Sequence, residues 1–133
     1  MSALTTEQIK VLCEEAIAVR NNAYAPFSKF HVGAALLTER GELITGANVE
    51  NSSYGLTNCA ERTAVFTAVA GGARQILAIA IATPGGHGPC GACRQVLYEF
   101  GPEMDVLLVD SETATVTHRC KLSELLPRGF RLS

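Results

Sequence analysis

The chain has 133 residues, a formal net charge of −2, and 18% charged against 47% apolar residues. That size and balance suit one globular domain over residues 1–133, able to bury roughly two-thirds of its unfolded surface without staples. The absence of any Lys/Arg run excludes a phosphate-neutralising nucleic-acid groove, and the absence of a long apolar run excludes a transmembrane span.

The opening Met-Ser-Ala-Leu-Thr-Thr has no charged-then-apolar leader pattern, so a cytoplasmic protein is expected. Five cysteines is an odd number. A close Cys-x-x-Cys in such a chain favours metal or redox chemistry over a disulfide framework.

Thr5 or Thr6 is placed to cap a first helix, with Ile9, Leu12, Cys13, Ala16 and Ile17 at helical spacing through about Arg20. Cys13 lies on that apolar stripe and reads as a small buried hydrophobe. Asn21 to Ser28 is a loop, and Phe30 to Thr38 a first strand. Glu39-Arg40-Gly41-Glu42 turns the chain into a second strand, Leu43 to Asn48. Asn48 and Glu50 follow two apart, which spacing alone reads as ordinary loop polarity. Cys59 opens a second helix that Gly71-Gly72 stops. Ile76 to Ala82 is wholly apolar, the pattern of a central strand buried on both faces. Pro89 is expected at the start of a third helix, ending near Gly101-Pro102. Asp105 to Asp110 and Thr113 to Arg119 supply two more strands, and Leu122 to Leu126 a short helix. The order α, β, β, α, β, α, β, β predicts an α/β protein. Helices on either side of a buried strand bring their N-termini to one sheet edge, where ligands collect.

That edge receives the chemistry. Cys90 and Cys93 are three apart on a helix turn and share a face. Cys59 stands at the other helix start. Three thiolates leave one tetrahedral corner open, the donor pattern of a catalytic zinc. Helix N-termini favour thiolate, and Arg62, in the same turn as Cys59, is placed to draw charge from a sulfur. Arg94 is open between that role and a solvated surface position. Glu61 is placed to move protons at the open corner.

The two motifs, Cys59-Ala60-Glu61-Arg62 and Pro89-Cys90-Gly91-Ala92-Cys93-Arg94-Gln95, resemble the small homotetrameric cytidine deaminases. Further blocks are similar: Tyr24 to Ala35, Gly46 to Asn51, and Leu125 to Phe130. The resemblance covers nearly the whole chain. It implies a three-layer α-β-α sandwich with a mixed five-stranded sheet, one Zn²⁺ per subunit on Cys59, Cys90 and Cys93, and Glu61 as proton shuttle. It also implies that Phe30 packs on a pyrimidine, that Asn48 and Glu50 bind the ribose 3′-hydroxyl, and that Ala60 and Gly88 contact the base. Ser52, Tyr54 and Phe130 would reach neighbouring sites across a homotetramer. The implied reaction is hydrolytic deamination of cytidine and 2′-deoxycytidine to the uridines and ammonia, in pyrimidine salvage.

Four other readings use the same residues. A structural zinc module needs a fourth ligand from Cys13, Cys120, His31, His87 or His118, with His87 the nearest. A nucleic-acid-editing deaminase conflicts with the acidic balance. A deaminase of free cytosine, a modified cytidine or a nucleoside antibiotic would use the same metal site. A thioredoxin-like role for Cys-x-x-Cys leaves Cys59 and Glu61 without a purpose.

Overall fold

The computed structural model describes residues 3–132. Helix α1 (Thr6–Val19) opens on a capping box: the Gln8 amide donates to Thr5 Oγ1 at 3.0 Å, and the Thr5 amide to Gln8 Oε1 at 2.9 Å. Strands β1 (Gly33–Thr38) and β2 (Leu43–Ala47) form the expected hairpin. Helix α2 (Ala60–Ala70), strand β3 (Ile76–Thr83), helix α3 (Gly91–Phe100), strands β4 (Asp105–Asp110) and β5 (Thr115–Lys121), and helix α4 (Leu122–Leu125) complete the chain.

The strands form one sheet in the order β2-β1-β3-β4-β5. Only β3 and β4 pair in parallel, joined through α3; the other neighbours are antiparallel. The mixed five-stranded sheet is therefore as the resemblance implies. Helix α1 covers one face and α2 with α3 the other, which gives three layers.

The apolar run of β3 divides its residues by face. Ile79 and Ile81 pack beneath α2 and α3, whereas Ala78, Ala80 and Ala82 face α1. Small residues let α1 lie close to the sheet, and large ones fill the thicker layer. Close packing also fixes α2. A Cβ added at Gly46 would stand 2.5 Å from the Ala64 nitrogen and 2.7 Å from the Ala60 oxygen. The helix that carries Glu61 thus rests directly on the β2 backbone.

The ends of β2, β3, β5 and α4 lie one or two residues from the sequence expectation, and three starts differ for visible reasons. Strand β1 begins at Gly33 rather than Phe30, because the Asn48 side chain takes the place of a neighbouring strand. Its Oδ1 accepts from the Val32 amide at 2.9 Å and its Nδ2 donates to the Phe30 carbonyl at 2.8 Å. Strand β5 begins at Thr115 rather than Thr113, after a turn in which Ala114 has φ 58 and its amide donates to the Asp110 carbonyl. Helix α3 begins at Gly91, so Pro89 precedes the helix; Cys90 is its extended N-cap, with φ −69 and ψ 169. No helix among the described residues is long and apolar enough to cross a membrane.

Candidate metal centre and active site

Cys59 and Cys90 occupy equivalent places, each the N-cap of its helix, with Cys93 one turn into α3. Both helices start at the carboxyl end of β3, so residues thirty apart in sequence converge. The three Sγ atoms lie within 4.8 Å of one another, and those of Cys59 and Cys90 are 3.9 Å apart. A tetrahedral zinc with Zn–S bonds near 2.3 Å needs sulfur separations of about 3.8 Å. The donor set therefore fits zinc. No His, Asp, Glu or further Cys joins the cluster among the described residues. His87, the nearest rival ligand by sequence, lines the adjoining cleft outside it. A structural four-ligand module is not what these residues form.

Charge at the sulfurs is handled locally. The Cys59 thiol is drawn down to about 5, first by the neighbouring Cys93 thiol and then by Arg62. Cys93 is pushed up, first by the adjacent Cys59 sulfur and then by burial. Arg62 Nη2 donates to Cys59 Sγ at 3.2 Å, as its position in the first turn suggested. Its Nε is buried with no hydrogen-bond partner.

Glu61 is only 5% exposed. Its carboxyl is pushed up to about 7, mainly by burial and further by the charge of Cys59. It lines a cleft of about 280 Å³ together with Cys59, Ala60, Gly88 and Cys90. Phe30, Asn48 and Glu50 line the same cleft. Val49 and Asn58 exchange both backbone hydrogen bonds at 2.9 Å, which clamps the Asn48–Glu50 segment beside the start of α2. Asn48 is 8% exposed. Glu50 accepts from the Phe27 amide at 2.9 Å, the Ser28 amide at 3.2 Å and the Ser28 hydroxyl. The Ser28 hydroxyl is the first cause that holds this carboxyl below the usual range.

Ser52, Tyr54 and Phe130 do not enter this cleft. All three are exposed, Tyr54 at 74% and Phe130 at 63%. Tyr54 stacks edge-on against Phe27, centroids 5.8 Å apart. Sequence reasoning missed Ser28, Val32, Thr57, Ile81 and Thr83 as cleft residues and took His87 only as a rival metal ligand. Ser28 and Val32, inside the Tyr24–Ala35 block, carried a usable signal. Arg94 takes neither of its two expected roles: it donates to the Pro89 carbonyl at 2.8 Å and the Leu125 carbonyl at 2.9 Å.

Comparison with known proteins agrees with this geometry. Residues 6–109 match the family model described as the cytidine and deoxycytidylate deaminase zinc-binding region. A cytidine deaminase of Halalkalibacterium halodurans is 48% identical over 91% of this chain and 92% of its own length. One from Sporosarcina psychrophila is 47% identical, covering 92% and 90%. The crystal structure of cytidine deaminase from Burkholderia pseudomallei superposes with a TM-score of 0.86 at 46% identity, over 96% of this chain and 100% of that one. With three sulfurs at zinc spacing and a family match across most of its length, the chain belongs to the cytidine and deoxycytidylate deaminase family.

Proposed function

We propose that the protein is a zinc-dependent hydrolase that converts cytidine and 2′-deoxycytidine, with water, to uridine and 2′-deoxyuridine plus ammonia. The observation that carries this is that buried Glu61 shares one cleft with Cys59 and Cys90 of the three-cysteine cluster and with Asn48 and Glu50. Bound by Cys59, Cys90 and Cys93, zinc supplies Lewis-acid activation of a water molecule at neutral pH.

The rest of the work falls to side chains. Glu61, titrating near neutrality, both takes and returns a proton. It takes one proton from the attacking water and delivers it to N3 of the pyrimidine as the C4–O bond forms, then takes the remaining hydroxyl proton and delivers it to the amine as the C4–N bond breaks, leaving C4=O and ammonia. Arg62 neutralises sulfur charge that would otherwise weaken the Lewis acid. The backbone of Ala60 and the Gly88 carbonyl read the base edge and the departing amine. Phe30 packs on the ring. Asn48 Nδ2 donates to the ribose 3′-hydroxyl and the ionised Glu50 carboxylate accepts from it, which selects a nucleoside over a free base. Both are already fixed by the 27–32 segment, so they meet the sugar preorganised.

Exposure of Ser52, Tyr54 and Phe130 supports a homotetramer in which each subunit lends these groups to a neighbour's site. A cytoplasmic place in pyrimidine salvage follows from the same reading. The test is the loss of cytidine absorbance with matching ammonia release, before and after the metal is stripped. Turnover of cytidine, its loss on stripping and its return with zinc support the proposal. Turnover only of free cytosine, or only of a modified nucleoside, would replace it with a deaminase of that substrate.

A further inference from the structure

The loop between β3 and α3 must present Gly88 and Cys90 to the cleft. Its first half is pinned to the sheet. The Gly85 amide donates to Asp110 Oδ1 at 3.1 Å, the His87 amide to Thr83 Oγ1 at 2.7 Å, and Thr117 Oγ1 to the Gly86 carbonyl at 3.3 Å. The second half lacks the usual handles. Gly88 has no side chain to pack, and Pro89 has no N–H to donate. Its handle is the Pro89 carbonyl, which accepts from Arg94 Nε at 2.8 Å. The same guanidinium reaches the Leu125 carbonyl with Nη1 at 2.9 Å and lies under Gly88, where an added Cβ would stand 3.4 Å from Nη2. The next residue, Gln95, donates to the Phe130 carbonyl at 3.1 Å, and Arg131 to the Glu99 carbonyl at 3.2 Å. The chain after α4 is thus fastened along α3 beside the metal ligands.

We infer that Arg94 is a positioning residue for the reaction: by bracing the Pro89 carbonyl against the Leu125 carbonyl, it sets where Gly88 and Cys90 stand and makes the C-terminal segment part of the site's frame. The inference rests on the deamination reading for Gly88, and on the metal cluster alone for Cys90. It requires a planar fork. A lysine ammonium, a single point charge, cannot hold both carbonyls in that geometry.

The test compares full-length wild type, Arg94→Lys and Arg94→Gln, each with one zinc per chain, well below their melting temperatures. Cobalt(II) in place of zinc adds a sulfur-to-metal charge-transfer band that reports on Cys90. The expected result for a folded variant is a kcat loss of about tenfold or more with KM within about threefold, since small displacements at a reacting centre are costly. The cobalt band shifts or weakens, and a chelator removes zinc faster. A wild-type kcat and band in either folded variant overturns the inference. So does activity lost only in step with the folded fraction, a change confined to KM, or failure of both variants to fold, each of which marks Arg94 as structural. If wild type does not turn over cytidine, the deamination reading fails, and the cobalt band still decides whether Arg94 positions Cys90.

Discussion

Arg62 donates to Cys59 across 3.2 Å, from the same helical turn and toward a sulfur at that helix's own N-terminus. Three thiolates on a dication sum to −1, which makes the ion a weak Lewis acid. A fixed guanidinium offsets that charge without occupying a ligand position. Arg62→Gln is therefore expected to lower kcat by about 10- to 100-fold. Thermal stability should fall much less. Parallel melting and turnover measurements check this; equal losses in both would assign Arg62 a folding role.

Gly46 seats α2 on the sheet. Gly46→Ala drives a methyl into the Ala60–Ala64 backbone and is expected to cost about 1–3 kcal/mol. Because α2 carries Cys59 and Glu61, zinc affinity should drop as well. Denaturant unfolding and a zinc competition assay read the two effects. Unchanged stability would show that α2 has room to move.

Glu50 bears on pH. Its carboxyl is held below the usual range, first by the Ser28 hydroxyl, then by the Phe27 and Ser28 amides. A lowered folded-state pKa contributes stability that is present above the unfolded value, about 4.3, and disappears as pH falls through the lower folded value. Glu39 and Asp110 are shifted the same way, so the wild-type acid limb sums several groups. Subtracting the Glu50→Gln melting profile from that of wild type isolates one of them. The difference should shrink as pH falls from 6 toward the acid limit. A pH-independent difference would mean that the hydrogen bonds do not prefer the ionised carboxyl.

Metal removal has its own signature. Cys93 is pushed toward the protonated form by the adjacent Cys59 sulfur and by burial, and zinc must displace that proton. Zinc added to stripped protein in weak buffer should release protons, and apparent affinity should rise with pH. A pH-independent affinity would contradict thiolate ligation.

How much of this was legible in the chain follows from what each residue depends on. Cys59, Cys90 and Cys93 could be read because both motifs begin helices, and helix starts on one side of a parallel strand pair meet. The buried strand Ile76–Thr83 could be read from its apolar run, although not which of its residues faces which helix. Asn48 could not. Its side chain substitutes for strand pairing across the 30–32 segment, a long-range arrangement that a two-residue spacing does not encode. Arg94 was equally silent, because its acceptors are main-chain carbonyls, present at every position of every sequence. The start of α3 was misplaced by the assumption that Pro89 occupies the first helical position; Cys90, extended, caps the helix instead.

Replacing Glu61 tests the whole account most directly. It is buried beside the cysteine cluster, and glutamine keeps its shape while removing the carboxyl that the proposed reaction needs to carry a proton. Purified Glu61→Gln, assayed on cytidine alongside its zinc content, should keep the metal and the fold and lose about 10²-fold or more in kcat. Turnover near the wild-type rate, with zinc still bound, would contradict it.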